Sequence, residues 1–319
     1  MKIIAIVPVF NGESFIDRCL SSLLRQTYQD FEAYIVDDGS TDNTQEVLRK
    51  YKSDPKFHIL KKENGGAGSA RNYALDLINE KDAYIVFIDS DDCVKDNYFE
   101  LLSNHDEEIV FIDVEQRDEN NNLLKEERIS VYRNETKDSI LRKQMTGFIP
   151  WGGVRKATKS NVIIDNHIRF SNTKVGEEAL YSFNALYFAK SIGFIHECVY
   201  SYNVRNDSLS GTFNEDPWGK VTELMEENLK QLGIYDQYAD TLNSFKISSN
   251  AVSLRRIGKY KYSEFKAKAK EARIKLMSSL DNAFGIDKKS LSKKANLIWK
   301  LVKAKMYFSI FALARLSGV

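Results

Sequence analysis

Residues 84–92 read Tyr-Ile-Val-Phe-Ile-Asp-Ser-Asp-Asp. The first five residues indicate a buried strand, and three of the four that follow are acids. Carboxylates crowded in this way repel one another, and their pKa values rise unless a divalent cation or a dense set of hydrogen-bond donors neutralises them. The stretch therefore points to a metal-assisted site, although acids after a strand also form turns and cap helices.

A second strand ends in the same way. Residues 32–36 form a short, largely apolar run, and Asp37-Asp38-Gly39-Ser40-Thr41-Asp42 follows it. Parallel strands of an α/β sheet bring their carboxyl ends to one crevice, where such sheets bind ligands. Two acidic strand ends together favour a ligand site over two unrelated loops.

Length and composition favour a folded protein with one catalytic domain and an appendage. The chain has 319 residues, of which 43% are hydrophobic and 29% charged. Residues 1–7 lead into Pro8 without a signal-peptide pattern, and no run reaches the roughly 20 apolar residues of a membrane span, so we expect a cytoplasmic protein. Cys19, Cys93 and Cys198 are scattered, which favours reduced thiols and argues against zinc.

The N-terminal third of the chain alternates between strand and helix patterns, as in a doubly wound sheet. Strands are predicted over residues 3–9, 32–36, 57–60 and 84–88, and helices over 15–24, 44–51 and 67–78. Short connections between these elements make neighbouring strands parallel, with right-handed crossovers. The predicted fold class is therefore α/β.

Beyond residue 92 the pattern is less regular. Strands are predicted over residues 108–115 and 192–202, helices over 137–145 and 177–189, and a hairpin or loop over the polar stretch 116–125. From Pro217 onward the sequence indicates helices only. We therefore predict one domain over residues 1–215 and a helical C-terminal region over 216–319.

Five short motifs occur in order along the first domain, namely Val7-Pro8-Val9-Phe10-Asn11, Gln26-Thr27-Tyr28, Asp37-Asp38-Gly39-Ser40-Thr41-Asp42, Asn64-Gly65-Gly66-Ala67-Gly68-Ser69-Ala70-Arg71-Asn72 and Asp89-Ser90-Asp91-Asp92. In this order and spacing they resemble the nucleotide-sugar domain of family-2 inverting glycosyltransferases with the GT-A fold, a Rossmann-like, mostly parallel sheet flanked by helices. The resemblance is strong over residues 3–92 and looser to about residue 216. It implies a donor-binding half over residues 1–95 and an acceptor half over 96–215.

The resemblance implies a donor site at the ends of the first two strands and in the glycine loop. Pro8 lacks an N–H and can leave a slot for the nucleotide base beside Phe10 and Asn11. Asp38 resembles the family residue that accepts the imide N–H of uracil, which implies a UDP-sugar donor. The other residues implied in donor binding are Asn64, Gly66, Arg71, Asp89, Ser90, Arg205, Ser208 and Ser210.

The resemblance also implies a metal site and a catalytic base. Asp91, helped by Asp92, would hold Mg²⁺ or Mn²⁺ on the donor diphosphate, because oxygen ligands suit both ions. Glu178, at a predicted helix start, stands where family members carry an aspartate base. Glu177 and Trp151 are expected at the acceptor. The two glutamates also suit a helix N-terminus with no catalytic role, and Trp151 also suits a core.

The C-terminal region is strongly basic. Residues 255–319 contain 17 Lys or Arg and 4 Asp or Glu, whereas the whole chain has a net charge of +1. Leu297, Leu301 and Ile310 are among the apolar residues that recur there at helical spacing. Such a helix can lie on an anionic membrane surface, or it can pack on the catalytic domain with its lysines in water. No nucleic-acid-binding module accompanies the charge, so nucleic acid is not an expected partner.

Together these patterns predict a metal-dependent inverting glycosyltransferase that moves a sugar from a nucleotide-diphosphate donor to a glycan or lipid-linked glycan, in the synthesis of surface polysaccharide or glycoconjugate. The expected location is the cytoplasm, at the cytoplasmic membrane face if the tail binds lipid. One alternative is a sugar nucleotidyltransferase, although Pro8-Val9-Phe10-Asn11 stands where such enzymes carry a basic glycine loop. The other is a non-catalytic glycan- or membrane-binding module, against which the acids at 38, 89, 91 and 178 count.

Overall fold

The computed structural model describes residues 1–173, 175–204 and 214–316. Its contacts divide the chain into two compact units. The first contains Met1–Lys137 and the described part of Gly152–Ser208, and the second contains Asp138–Trp151 and the described part of Leu209–Val319. The division predicted from sequence places residues 138–151 in the catalytic domain, whereas in the structure they group with the C-terminal helices.

The strands of the described residues are β1 (Lys2–Val9), β2 (Phe31–Asp37), β3 (Phe57–Lys61), β4 (Ala83–Phe87), β5 (Cys93–Val94), β6 (Ile109–Arg117), β7 (Leu123–Glu127), β8 (Lys156–Lys159) and β9 (Ile192–Asn203). The helices are α1 (Ile16–Leu24), α2 (Thr44–Arg49), α3 (Ala67–Leu77), α4 (Tyr98–Ser103), α5 (Lys137–Met145), α6 (Ser160–Asp165), α7 (Glu178–Phe188), α8 (Gly219–Gln231), α9 (Tyr235–Arg256), α10 (Tyr262–Ser279), α11 (Lys293–Lys303) and α12 (Tyr307–Leu316). The predicted strands and helices of the N-terminal third agree with these bounds to within about two residues. The short elements β5, β8, α4 and α6 were not predicted.

One sheet runs through the first unit in the order β3-β2-β1-β4-β8-β6-β9-β5. The strands β3, β2, β1 and β4 are parallel neighbours, as predicted. In the other half, β8 is antiparallel to both β4 and β6, and β9 runs parallel to β6. The strand β7 forms an antiparallel hairpin with β6 over the predicted hairpin or loop. The predicted α/β fold class is confirmed.

The strand β1 is the centre of the parallel half and is buried on both faces. Its side chains Ile3, Ala5 and Val7 belong to one apolar cluster with Leu20 and Leu23 of α1. A continuous apolar run, rather than an alternating one, is typical of parallel strands that are covered by helices on both faces. This core fixes the strand ends from which the polar loops of the first unit emerge.

The strands β1 and β4 separate near their carboxyl ends. Their register ends at Ile6 opposite Phe87, although β1 continues to Val9 beside β2. Alternate residues of a strand hydrogen-bond to the same neighbouring strand, so after Ile6 the next β1 residue that would donate a backbone N–H to β4 is Pro8. Proline has no N–H, so this hydrogen bond is not made. The carboxyl ends of β1, β2 and β4 therefore border an opening of the sheet.

The second unit is helical, with α9 to α12 packed around a core that includes Leu254, Phe265, Trp299 and Ile310. The tail differs from the single helix predicted, because α11 and α12 are separate helices. The chain breaks between them at Lys305, which has a φ of 56°, and periodicity alone does not reveal such a left-handed residue. No helix of the described residues is long and apolar enough to cross a membrane.

Candidate active site

The acid loop, residues 89–92, follows β4 and is held by the end of β9. The Asp89 N–H donates to Tyr200 Oη at 3.0 Å, and the same hydroxyl donates to Asp92 Oδ2 at 2.7 Å. The Asn203 N–H donates to Asp92 Oδ1 at 2.7 Å, and the Asn203 side chain donates to the Asp91 carbonyl at 2.7 Å. Two residues more than a hundred positions downstream thus set the shape of this loop.

Asp92 is fully buried, unlike Asp89 and Asp91, which are partly exposed. Burial, reinforced by the charges of Asp89 and Asp91, raises the pKa of the Asp92 carboxyl well above its usual range. Both carboxyl oxygens accept hydrogen bonds within the chain. These contacts give Asp92 a part in shaping the loop, and they leave Asp91 as the stronger candidate of the two predicted metal ligands.

Arg71 joins the glycine-loop helix to the acid loop and to the predicted base. It lies on α3 and is 3% exposed. Its Nη2 lies 2.7 Å from Asp89 Oδ1, and its Nη1 lies 3.3 Å from Glu177 Oε1 and 3.7 Å from Glu178 Oε1. Burial alone would lower the pKa of the guanidinium, but the three carboxylates raise it above its usual value, so Arg71 stays charged.

Glu178 begins α7, and Glu177 precedes it at the N-cap. The Gly153 N–H donates to Glu178 Oε1 at 2.9 Å. Among the described residues, the hydrogen bonds and ion pairs of the Glu178 carboxylate all involve Oε1. Burial and the neighbouring charge of Glu178 raise the pKa of Glu177. The two acids therefore form a partly buried pair beside one arginine.

Lys156, on β8, is a buried lysine close to this pair, and sequence analysis missed it. Its Nζ donates to the Gly152 carbonyl at 3.2 Å and to Ser182 Oγ at 2.8 Å. Burial lowers the pKa of the ammonium group to about 7, although the charge of Glu178 opposes that shift. Lys156 thus ties the Gly152–Gly153 peptide to α7, the same two segments that the hydrogen bond from Gly153 to Glu178 joins.

Asp38 holds the glycine loop, residues 64–68, against the end of β2. Its carboxylate accepts from Lys62 Nζ at 2.7 Å, from the Gly65 N–H at 3.0 Å and from the Gly66 N–H at 2.7 Å. A carboxylate offers about four acceptor positions, so these contacts leave little capacity for a base unless Lys62 moves. Gly66 has a φ of 87°, a conformation that favours glycine over residues with a side chain.

The segment after β1 lies beside Asp38, since the Asp38 N–H donates to the Val9 carbonyl at 2.8 Å. Phe10 is 47% exposed, as a ring that stacks on a nucleotide base must be. Asn11 is a link between loops, because its N–H donates to Ser40 Oγ and its Oδ1 accepts from the Thr41 N–H. Asn64 is exposed and Ser90 is partly exposed at the same edge of the sheet.

The other predicted site residues are Trp151, Arg205, Ser208 and Ser210. Trp151 belongs to the second unit, where its ring packs against Trp218 and Phe245 and its N–H donates to the Gln144 carbonyl. These are contacts of a packing residue, and its part in acceptor binding stays a prediction. Arg205, Ser208 and Ser210 lie outside the described residues.

The acid loop suits a divalent cation only in part. No group of three or more His, Cys, Asp or Glu side chains within the described ranges is arranged to hold a metal. Mg²⁺ sites commonly consist of one or two carboxylates completed by substrate phosphates and water. The donor set here, Asp91 with Asp89 nearby, fits such a shared site and does not fit a cage built by the protein alone.

Parallel strands with an acid loop after β4, joined through Arg71 to the glutamates at the start of α7, agree with the predicted GT-A fold. Residues 4–158 match the family model described as glycosyl transferase family 2. Residues 4–158 therefore form a domain of this family, and the prediction of a family-2 glycosyltransferase with the GT-A fold is confirmed.

Relatives and solved structures agree with this assignment. The chain is 28% identical over 250 residues to glycosyltransferase GlyA of Streptococcus pneumoniae, a match that covers 72% of this chain and 34% of GlyA. It thus spans about a third of that relative. Residues 1–349 of S. aureus TarS, solved with UDP-GlcNAc, have the same fold, with a TM-score of 0.69 and 19% identity over 99% of this chain and 91% of that chain. A mannosyltransferase from Pyrobaculum calidifontis, solved with GDP-Man and Mn²⁺, has a TM-score of 0.51 and 16% identity over 99% of this chain and 87% of that chain.

Proposed function

We propose that this chain transfers a sugar from a nucleotide-diphosphate donor to a glycan hydroxyl, with inversion at the anomeric carbon. The observation that carries the proposal is the Arg71 guanidinium, which contacts Asp89 of the acid loop and Glu177 and Glu178 at the start of α7. One buried cation thus joins the donor side of the site to the candidate base. Such preorganised charge is what a transfer reaction between two bound substrates requires.

The donor in this proposal is a UDP-sugar. Phe10 offers an exposed ring for the base, and Asp38 would accept an imide N–H once Lys62 moves away from its carboxylate. The backbone of Gly65 and Gly66 can approach the sugar or diphosphate closely, because Gly66 takes a left-handed conformation and has open space around it. A UDP-sugar is also the ligand with which the structurally similar TarS was solved.

A divalent metal, Mg²⁺ or Mn²⁺, would be held by Asp91 together with the donor diphosphate. When bound, such an ion neutralises charge that develops on the leaving diphosphate. The chain supplies the surroundings of that charge. Tyr200 and Asn203 orient the acid loop, and Arg71 adds a permanent positive charge on its Asp89 side.

Glu178 is the proposed base. Its Oε1 is fixed by the Gly153 N–H and approached by Arg71, while Oε2 can take the proton of an acceptor hydroxyl. Removal of that proton lets the hydroxyl oxygen attack from the face opposite the departing diphosphate, which inverts the configuration. Glu177, whose pKa is raised by burial and by Glu178, is proposed to hydrogen-bond the acceptor.

The acceptor in this proposal is a glycan or lipid-linked glycan of a surface polysaccharide or glycoconjugate. On the resemblance alone, Trp151 would contact the acceptor, and Arg205, Ser208 and Ser210, which lie outside the described residues, would contact the donor. The basic C-terminal region, with 17 Lys or Arg against 4 Asp or Glu, supports a position at the cytoplasmic face of an anionic membrane.

A panel of nucleotide sugars tests the proposal. The full chain is incubated with UDP-, GDP- and TDP-sugars in Mg²⁺, Mn²⁺ or EDTA, and release of the nucleoside diphosphate is measured. Asp91→Asn should lower that release by at least about 10²-fold, because it removes charge stabilisation of the leaving group. Full turnover in EDTA, with metal shown to be absent, would contradict the metal role. Nucleoside triphosphate formed from pyrophosphate and a nucleotide sugar would instead identify a nucleotidyltransferase.

A further inference from the structure

The second unit contains an apolar cavity of about 510 Å³. Its walls come from α9, α11 and α12, with the turn after α5 also lining it. The apolar wall includes Val252, Leu254, Leu297, Ile298, Ile310 and Leu313. Small-molecule sites in proteins span about 300–1,000 Å³ and are lined mostly by such side chains. The cavity is therefore large enough for the chain of an amphiphile.

Two cations lie in the lining of this cavity, and no acid does. Arg255 of α9 and Lys294 of α11 are both exposed. Within the described residues neither side chain is hydrogen-bonded to or ion-paired with a carboxylate. Both lie in the segment that carries 17 Lys or Arg against 4 Asp or Glu. An anionic head group at the mouth of the cavity would therefore meet complementary charge.

Part of the apolar lining is exposed to solvent. Leu297 is 46% exposed and Leu316 is 84% exposed, and both line the cavity. A stable protein partner needs about 800 Å² of surface on each side, whereas a single hydrocarbon chain needs a narrow, deep and dry site. The size of the cavity, with two exposed cations in its lining, favours the lipid.

We propose that this cavity binds one hydrocarbon chain of a phosphorylated membrane lipid, with Arg255 and Lys294 on the phosphate. This site lies wholly in the second unit, and its lining contains none of the residues assigned to sugar transfer. Each chain would then bind one lipid molecule of an anionic membrane surface. This binding would add to the electrostatic attraction between the lysines and that surface. The proposal does not depend on the transfer reaction, because binding is measured without donor.

The test uses the full chain and dodecyl phosphate as the probe, below its micelle concentration. Isothermal titration calorimetry should give saturable binding with one site per chain. Dodecanol, which lacks the phosphate, and inorganic phosphate, which lacks the hydrocarbon chain, are titrated in the same way. Each should bind at least about 10-fold more weakly than dodecyl phosphate.

Variants of exposed residues locate the head-group contacts. Arg255→Gln with Lys294→Gln should weaken dodecyl phosphate binding at least about 10-fold. Lys266→Gln with Lys270→Gln is the matched control, because both lysines are exposed on α10, outside the cavity lining, and it should bind as the wild type does. Equal loss in the two double variants would overturn the assignment of the phosphate to Arg255 and Lys294.

A filling variant locates the chain. Val252→Trp should abolish binding, whereas Ile274→Trp, which places the same ring at a position 64% exposed on α10, should not. Far-ultraviolet circular dichroism and thermal unfolding check that both variants are folded, and if Val252→Trp is not, the charge variants decide. No saturable binding of dodecyl phosphate, or wild-type binding by Val252→Trp, would overturn the proposal. A concentration-dependent dimer lost in Val252→Trp would assign the cavity to a second copy of the chain and would also overturn it.

Discussion

Arg71 Nη2 lies 2.7 Å from Asp89 Oδ1, so a side chain of the glycine-loop helix and a side chain of the acid loop form one buried ion pair. The same guanidinium contacts Glu177 and Glu178 through its other terminal nitrogen. Three acids that would otherwise repel one another thus share one permanent cation. One arginine therefore links the acid loop to the start of α7.

Arg71→Met should destabilise the first unit and weaken donor binding. Loss of the arginine leaves three partly buried carboxylates facing one another, which costs about 3 kcal/mol of unfolding free energy. Arg169→Met is the control, because Arg169 pairs with Asp76 on the surface and should lose less than about 1 kcal/mol. Urea unfolding measures both. Equal and small losses would mean that the acids do not depend on Arg71.

Tyr200→Phe should lower the transfer rate about 10-fold and stability by about 1–3 kcal/mol, because one hydroxyl bridges the Asp89 N–H and the Asp92 carboxylate. Tyr84→Phe removes a tyrosine hydrogen bond to the Glu107 carbonyl in the same sheet and should lose stability only. Turnover and unfolding of the two variants are compared at saturating metal. If both keep wild-type turnover, Tyr200 supports the fold and not the acid loop.

Gly153→Ala should lower kcat about 10-fold with little change in donor affinity. A Cβ at this position would lie 3.1 Å from Phe87 Cδ2 and 3.3 Å from Glu178 Oε1, so the carboxylate would have to shift. Gly285→Ala, where a Cβ meets nothing within 4 Å, is the matched control and should behave as the wild type. Steady-state kinetics with the preferred donor give both constants. An unchanged kcat in Gly153→Ala would show that the position of Glu178 tolerates this shift.

Lys156 predicts a pH dependence of stability. Its pKa in the folded chain is about 7, below the usual lysine value of 10.5, so between these values the unfolded chain binds more protons than the folded chain. The unfolding free energy of the wild type should therefore rise with pH over this window, by up to about 1.4 kcal/mol per pH unit. Below pH 7 the buried ammonium group should lower the unfolding free energy by its full amount.

Lys156→Met removes this titration. Urea unfolding at pH 7 and pH 9 should show that Lys156→Met is more stable than the wild type. The difference in unfolding free energy should be smaller at pH 9 than at pH 7. Lys266→Met, at an exposed position, should have the same unfolding free energy as the wild type at both pH values. A margin that stays constant with pH would mean that Lys156 keeps an ordinary pKa in the folded chain.

The sequence was sufficient for much of the fold because the relevant signals are local. The apolar run of β1, the helical spacing of Leu20 and Leu23, and the acids directly after β4 each lie within a few residues of the feature they predict. The candidate acids Asp38, Asp89 and Asp91 could be predicted for the same reason, since strand ends of a parallel sheet share one edge.

The parts that could not be predicted depend on contacts between distant residues. Tyr200 and Asp92 are 108 positions apart, and nothing in the spacing of either residue indicates their hydrogen bond. Lys156 has the residue type of a surface position, yet β8 places it in the interior beside Ser182. The break at Lys305 depends on one left-handed backbone angle, which residues other than glycine adopt only where tertiary packing favours it.

The most direct test of the account is the response of Glu178→Gln, measured as donor affinity and turnover in the same preparation. The substitution keeps the shape of the side chain and its hydrogen bond with the Gly153 backbone region, but it removes the base. With the preferred UDP-sugar and its metal, the account predicts a donor Kd within about 2-fold of the wild type and a kcat lower by about 10²–10⁴-fold. A donor Kd that rises as steeply as turnover falls, or a kcat that does not change, would contradict the assignment of Glu178 as the catalytic base.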